Sequence, residues 1–94
     1  MSIGLLTLHL LLPGCASLKE KRSRIKPVLA RLHREFNISS AEIERQDMWQ
    51  EAVIACAMIS NDHDYTQRAL QAVKDFLPKH WPDLEILDFR IELL

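Results

Sequence analysis

Two ten-residue segments, at about residues 3–12 and 51–60, are apolar on both of the faces that a β-strand would present. In the first segment leucine and isoleucine occupy odd and even positions alike, and in the second valine, isoleucine, alanine, cysteine and methionine do so. A strand that is apolar on both faces belongs in the middle of a sheet, where a neighbouring strand flanks it on each side. The chain is therefore predicted to form a sheet with two central strands.

Two further segments have the pattern of edge strands. Residues 38–45 are short and polar, with Ala41 and Ile43 on one face and serine and glutamate on the other. Residues 84–93 alternate strictly, and such one-sided alternation is typical of an edge. The side chains of this segment that we expect to point inward are Leu87, Phe89, Ile91 and Leu93.

Helical patterns separate these strands. Ser17 and Glu20 have the spacing of a capping box and start a helix that runs to Phe36. Pro27 falls inside it, which predicts a kink or a regular helix that begins later than the cap. Its expected buried side chains are Leu18, Ile25, Val28, Leu29, Leu32 and Phe36. A second helix, capped by Asn61, Asp62 and Asp64 and ending near Lys79, has an expected buried stripe of Tyr65, Ala69, Ala72, Val73, Phe76 and Leu77.

The element order β-α-β-β-α-β predicts an α+β fold, the ferredoxin-like split β-α-β sandwich. We expect one domain over residues 1–94, with a four-stranded antiparallel sheet in the order 4-1-3-2 and two helices on one face. The apolar start of the chain lacks Lys or Arg ahead of it and falls short of the ~20 residues that a bilayer crossing needs. Cys15 and Cys56 have no zinc or redox spacing. The expectation is a cytoplasmic protein with reduced thiols and no membrane partner.

The first helix is strongly basic although the whole chain is nearly neutral. Residues 1–46 hold eight Lys and Arg against four Asp and Glu (+4), and residues 47–94 hold four against nine (−5). On a helical wheel several of these cations share one flank, and such a row could follow phosphate groups. The alternative is a solvated face whose long side chains cover the core. The candidate nucleic-acid-binding residues are Lys19, Lys21, Arg22, Lys26 and His33.

A second candidate site is the connection between the second and third strands, where a tryptophan stands among polar residues. The candidate partner-binding residues are Gln46, Asp47, Trp49 and Gln50. Exposed aromatic residues often anchor protein contacts. In the structural alternative, which we favour from sequence, Trp49 covers the open end of the core and Asp47 closes the turn by bonding its own backbone.

Three motifs carry a family resemblance: S-L-K-E-K-R at residues 17–22, A-E-I-E-R-Q-D-M-W-Q at residues 41–50, and S-N-D at residues 60–62. In these motifs and their spacing, nearly the whole chain resembles the YlxP-like family of small uncharacterised bacterial proteins. The resemblance implies a ferredoxin-like fold. Members are often encoded beside transcription and translation factors, including a ribosome-binding factor, which implies a link to RNA or ribosome maturation. The family supplies no catalytic residue, and Pro27 departs from its usual pattern.

These features favour a non-enzymatic binding protein whose partner is structured RNA or the ribosome. The two central strands carry no Phe, Tyr or Trp on which bases could stack, so the first helix rather than the sheet is the expected reader. Acylphosphatases of similar fold need a phosphate-binding loop with Arg, and metallochaperones need C-x-x-C; the chain has neither. No cofactor or metal site is predicted. The alternative is a self-associating module, a homodimer or a binder of a protein or small molecule, that uses the open sheet face.

Overall fold

The computed structural model describes all residues, 1–94, and has six regular elements. In chain order they are β1 (Ser2–Leu11), α1 (Leu18–Glu35), β2 (Ser39–Glu44), β3 (Glu51–Ser60), α2 (His63–His80) and β4 (Glu85–Leu93). The strands form one antiparallel sheet in the order β2-β3-β1-β4, which is the predicted order 4-1-3-2 read from the opposite edge. The predicted fold class is confirmed, with the two segments that are apolar on both faces at the centre of the sheet.

Both helices pack on the sheet face formed by the even-numbered residues of β1 and β3. These side chains and those of the two helices form a single apolar core, in which Leu6, Leu8, Leu10 and Ile54 are fully buried. Gly4 lies in the same row, where α2 approaches closely enough that a Cβ would meet Thr66 and, at 2.8 Å, Leu70 Cδ1. The opposite sheet face carries no helix.

The first helix begins where its sequence signal places it. Ser17 Oγ accepts a hydrogen bond from the backbone N–H of Glu20 at 3.1 Å, and the Glu20 carboxylate accepts one from the Ala16 N–H at 2.7 Å. The helix then continues through Pro27, whose side chain is exposed, to Glu35. The expectation that regular helix begins later than the cap is therefore wrong.

The buried stripe of α2 differs from the predicted one. Thr66, Leu70, Val73 and Leu77 are buried, whereas Tyr65 is 51% exposed. The polar Thr66 tolerates burial because its hydroxyl lies 2.7 Å from Ser60 Oγ and 3.2 Å from the Asp62 carbonyl. The buried stripe thus runs through Thr66 and Leu70 instead of the predicted Tyr65 and Ala72, both of which are exposed.

A register shift in β4 moves one predicted core residue outward. Asp88 lies opposite His9 and Ile86 opposite Leu10, so that Leu87 has no partner in the ladder and is 45% exposed. Ile86 packs on the core in its place. From Asp88 onward the strand is regular, and Phe89, Ile91 and Leu93 lie opposite residues of the helix-covered face, as predicted.

Burial raises the pKa of the Cys56 thiol from its ordinary 9.0 to about 12, because the thiolate would lose its hydration. The unfolded state loses this proton first, so the free energy of unfolding should fall as the pH rises from 9.0 towards about 12. A Cys56→Ala variant lacks the titrating group. Its stability deficit relative to the parent, measured by urea unfolding, should therefore be smaller at pH 10 than at pH 8, and an unchanged deficit would contradict the assignment.

Candidate functional site: a basic helix flank and an exposed tryptophan

The outer flank of α1 carries the cations that are free to meet a partner. Lys19, Arg22 and Lys26 recur at intervals of three and four residues, lie on one side of the helix and are exposed. None of the three forms an ion pair or a side-chain hydrogen bond within the chain. We call Lys19, Arg22 and Lys26 the basic flank.

The opposite flank of α1 is also basic, but its charges are used inside the protein. Arg24 donates to Asp83 at 3.1 Å and to the Pro13 carbonyl at 3.2 Å. Arg31 donates to Glu35 at 3.0 Å and lies over the Phe76 ring, 5.5 Å from its centroid. These contacts tie α1 to the α2 side of the molecule, so the basic flank faces away from α2.

Lys21 does not belong to the exposed surface. It is 1% exposed and occupies the first position of the stripe that continues with Ile25, Val28 and Leu32. Its ammonium donates to the carbonyls of Arg45 at 2.6 Å and Met48 at 2.8 Å. The place of Lys21 among the predicted RNA contacts is therefore corrected, since a buried side chain whose charge is already paired has no donor left for a phosphate.

The charge of Lys21 is balanced by β2. Glu42 Oε2 lies 2.7 Å from the Lys21 Nζ and accepts no hydrogen bond from any other group. Glu42 is on the helix-covered face of β2, opposite Ile54. A buried ion pair of this kind adds little stability over an apolar pair, but it fixes geometry and is costly to break on one side.

His33, the fifth predicted residue, has a structural contact of its own. Its ring is exposed, and its Nδ1 lies 2.9 Å from the carbonyl oxygen of Ile38. Because a carbonyl only accepts hydrogen bonds, Nδ1 carries the proton and donates it. His33 thus joins the end of α1 to the start of β2, and only its Nε2 remains free for a partner.

The connection between β2 and β3, residues 45–50, is exposed at every position. Trp49 is 54% exposed, which shows that the expectation of a core-covering tryptophan is wrong. Trp81 at the end of α2 packs against the core instead. Asp47 forms no hydrogen bond to its own backbone; the turn is closed by the Met48 N–H, which donates to the Arg45 carbonyl at 3.0 Å. The four predicted residues, Gln46, Asp47, Trp49 and Gln50, all face solvent.

The backbone of this connection is held from both ends. The Lys21 ammonium binds two of its carbonyls, and the Leu12 N–H donates to the Gln50 carbonyl at 2.7 Å. Arg45 adopts a φ of 60°, which a non-glycine residue keeps only where the surrounding contacts demand it. Trp49 is therefore an exposed aromatic residue on a fixed backbone.

Lys21 also brings the two predicted sites together. It stands between Lys19 and Arg22 in the sequence, and its ammonium reaches residues 45–48, so the start of the basic flank and the tryptophan connection lie at the same end of the molecule. We call the basic flank together with Trp49 the composite surface. It combines cations that attract phosphate with an aromatic face on which a base can stack.

The helical spacing of Lys21 in the sequence indicates its buried position, but nothing in the sequence indicates its partner. Residue 21 precedes Ile25, Val28 and Leu32 by four, seven and eleven positions, which is the spacing of one helix face. Lysine is nevertheless seldom buried, so its residue type favours the surface. The partner Glu42 comes from a strand 21 residues further on, and no local pattern indicates it.

The open sheet face, the predicted alternative site, divides into two halves. Near one end the exposed Ile59 and the half-buried Ile3 border a shallow apolar depression. Near the other end His9 Nε2 lies 2.5 Å from Glu51 Oε1 and borders a polar depression of about 220 Å³, also lined by Asp88 and Arg90. The predicted apolar patch thus covers only part of this face. Neither α1 nor α2 has the length and hydropathy that crossing a bilayer requires.

The fold belongs to a clear class, an α+β sandwich of one four-stranded antiparallel sheet and two helices, with a basic helix and an exposed tryptophan at the same end of the molecule. The chain belongs to the family described as "Protein of unknown function (DUF503)", whose pattern matches residues 3–91.

Individual relatives agree with this membership. The "Uncharacterized protein YlxP" of Bacillus subtilis (strain 168) is 35% identical over 83 residues, which cover 88% of this chain and 89% of the relative. The predicted YlxP-like membership is thus confirmed. Among solved structures, the "De novo designed protein Foldit4" is similar with a TM-score of 0.56 at 15% identity, covering 98% of this chain and 97% of the designed one. That likeness concerns the fold alone.

Proposed function

We propose that this protein is a non-enzymatic, cytoplasmic RNA-binding protein that contacts structured RNA, the ribosome being the natural source, through the composite surface. The observation that carries the proposal is the pairing of three exposed cations without internal partners and a half-exposed tryptophan on a fixed backbone. The other cations of α1, except Arg34, are engaged within the chain. Both cysteines are free thiols, in keeping with a reducing compartment.

The two parts of the surface have different tasks. Lys19, Arg22 and Lys26 bind phosphates, which fixes the position of the RNA without reading its sequence. Trp49 stacks on an unpaired base, and such stacking is tolerant of base identity. The preferred target is therefore a helix flanked by a loop or bulge, because an unpaired base is accessible only there.

The first test is fluorescence anisotropy of a labelled RNA hairpin with an unpaired loop, at two or more salt concentrations. Changing Lys19, Arg22 and Lys26 together to Glu should abolish binding at low micromolar protein, since three phosphate contacts become repulsions. The salt slope of any remaining binding should fall by about 2 to 3, the number expected for three lost contacts. An unaltered affinity and slope would rule out the basic flank as the RNA contact.

A matched control variant distinguishes RNA binding through the basic flank from binding that depends only on net charge. Arg34, Arg68 and Lys79 are also exposed and form no ion pairs, and they lie outside the basic flank. Changing these three to Glu alters the net charge by the same amount. The control variant should keep most of the affinity; equal losses in both triple variants would show that binding depends on overall charge and would contradict a defined site.

Trp49 is tested by substitution to Ala. Loss of one stacked base should weaken binding about tenfold and leave the salt slope unchanged, because no charge is removed. Trp49→Phe, which keeps an aromatic face, should retain most of the affinity. Since Trp49 is exposed, the free energy of unfolding should change by less than about 0.5 kcal/mol. A weaker affinity accompanied by a large loss of stability would return Trp49 to a structural role.

A further inference from the structure

The strand β4 has a free edge with a defined set of outward-pointing backbone groups. On one side β4 pairs with β1, and the Leu94 N–H donates to the Ile3 carbonyl at 2.8 Å. Hydrogen-bonding direction alternates along an antiparallel strand, so the even-numbered residues from 88 onward bond to β1. The N–H and C=O groups of Phe89, Ile91 and Leu93 therefore point away from the sheet, where no other strand lies.

One of these outward groups is already occupied. The Phe89 N–H donates to the Asp88 carboxylate at 2.9 Å. The ladder irregularity at Leu87 ends the regular part of the edge just before Asp88. Ile91 is therefore the centre of the free edge: its outward N–H and C=O groups have no partner, and the strand is regular on both sides of it.

The side chains around Ile91 are complementary to their own antiparallel copy. If Ile91 lies opposite Ile91 of a second chain, Arg90 of each copy lies opposite Glu92 of the other. On the helix-covered face, Phe89 lies opposite Leu93 twice. In the single chain these groups are only partly covered. Phe89 is 40% exposed beside the Lys74 ammonium, which lies 4.6 Å from its ring centroid, Leu93 is 41% exposed, and the Arg90–Glu92 pair of 3.0 Å lies at the surface.

We propose that β4 is a self-association edge, through which two copies pair antiparallel about a two-fold axis at Ile91 and join their four-stranded sheets into one of eight strands. Main-chain hydrogen bonds supply the pairing, as in other strand additions. The Arg90 and Glu92 side chains of both copies form a ring of alternating charges on the open face. The Asp88 carboxylate releases the Phe89 N–H to the partner backbone.

Other registers are disfavoured by the same residues. Placing Arg90 on the axis sets it against its own copy and sets Asp88 against Glu92, which puts like charges together. Placing Phe89 on the axis sets Ile91 of each copy opposite Leu87 of the other, where the strand is irregular. The other edge strand, β2, is six residues long and irregular near Glu44, which makes it a poorer template.

The test is sedimentation velocity over a dilution series with charge-reversed variants of the full chain. Both Arg90→Glu and Glu92→Arg place like charges opposite each other twice, so each should weaken self-association about tenfold or more. Mixing the two variants restores both opposite-charge pairs, so the mixture should associate as tightly as the parent chain. The double variant R90E/E92R should do the same. Because the Arg90 side chain is 71% and the Glu92 side chain 39% exposed and neither belongs to the core, the midpoint of thermal unfolding followed by circular dichroism should not change.

Each other outcome overturns the proposal. A parent chain that stays monomeric up to ~0.5 mM lacks even the weak association expected of a small interface. If only Arg90→Glu weakens self-association and Glu92→Arg does not, the two-fold axis lies at Phe89, where Arg90 faces Asp88. If the mixture of the two variants does not associate, Arg90 and Glu92 do not pair between copies. An Ile59→Lys variant serves as a control: Ile59 is 62% exposed on the open face, so this change abolishes a dimer through that face and leaves an edge dimer intact.

Discussion

Replacing Lys21 by methionine should lower the free energy of unfolding by about 3 kcal/mol, measured by urea denaturation. Methionine has a similar length and fills the same space. The loss comes from the groups left behind: the Glu42 carboxylate loses the ammonium that lies 2.7 Å away, and the Arg45 and Met48 carbonyls lose their donor. For a domain of this size, such a change is a large fraction of the total stability.

Two further variants show whether the ion pair is the cause. Lys19→Met removes an exposed cation from the same helix and should change stability by no more than about 0.5 kcal/mol. The double change Lys21→Met with Glu42→Gln removes the uncompensated charge and should recover part of the loss, because the two residues are coupled. Equal effects of Lys21→Met and Lys19→Met would refute the buried role.

The Lys21 variant should also free residues 45–50 from their fixed backbone. The Met48 N–H bonds to the Arg45 carbonyl. Its hydrogen exchange should be faster in the variant than in the parent chain, and this increase should exceed the increase seen in the core strands. In the RNA assay, the variant should lose affinity through Trp49 while its salt slope stays that of the parent, because the basic flank is intact. A lower slope would place Lys21 itself on the RNA.

Gly4→Val should cost about 3 kcal/mol of unfolding free energy, although valine is the better strand residue. A Cβ at this position meets Thr66 and lies 2.8 Å from Leu70 Cδ1, so α2 has to move away from β1 or the threonine has to leave its hydrogen bonds. Close-packed interiors do not absorb added carbon atoms freely. Thermal or urea unfolding measures the loss.

The cause is checked by shortening the neighbour. Thr66→Ser removes the methyl group that the new side chain meets and keeps the hydroxyl and its partners. Combined with Gly4→Val, it should recover about 1 kcal/mol, a non-additive effect that only contact explains. Ala57→Val, on the neighbouring strand but on the open face, should be nearly neutral. If it is as damaging as Gly4→Val, close approach of α2 is not the reason.

The sheet order could be predicted from the sequence because a central strand, which has a neighbour on each side, favours apolar residues at odd and even positions alike. Residues 3–12 and 51–60 have this pattern. In β1 the odd-numbered side chains are half-buried between the flanking strands although no helix covers them. The cap at Ser17 is likewise local, since its partner Glu20 is three residues away. Such features depend on near neighbours or on a simple period.

The errors concern residues whose environment comes from distant parts of the chain. The predicted surface position of Lys21 is wrong because its carboxylate and carbonyl partners come from β2 and from the connection that follows it. Thr66 was overlooked because a hydroxyl that bonds to Ser60 looks, in the sequence, like any exposed hydroxyl. Trp49 is exposed while Trp81 packs against the core, and the local sequence around the two tryptophans does not distinguish these environments.

The Lys21 ammonium occupies the place that a bound cation would take in a loop-binding site: one positive charge within 2.6–2.8 Å of two carbonyl oxygens and a carboxylate. Unlike a free ion, the Lys21 ammonium is covalently attached to the chain. Residues 45–50 therefore need no ion from solution to keep their backbone conformation. Buried charges are also screened only weakly by salt. The shape of residues 45–50 should therefore be the same at low and high ionic strength, and a change of RNA affinity with salt would report on the contacts with RNA rather than on the folding of the loop.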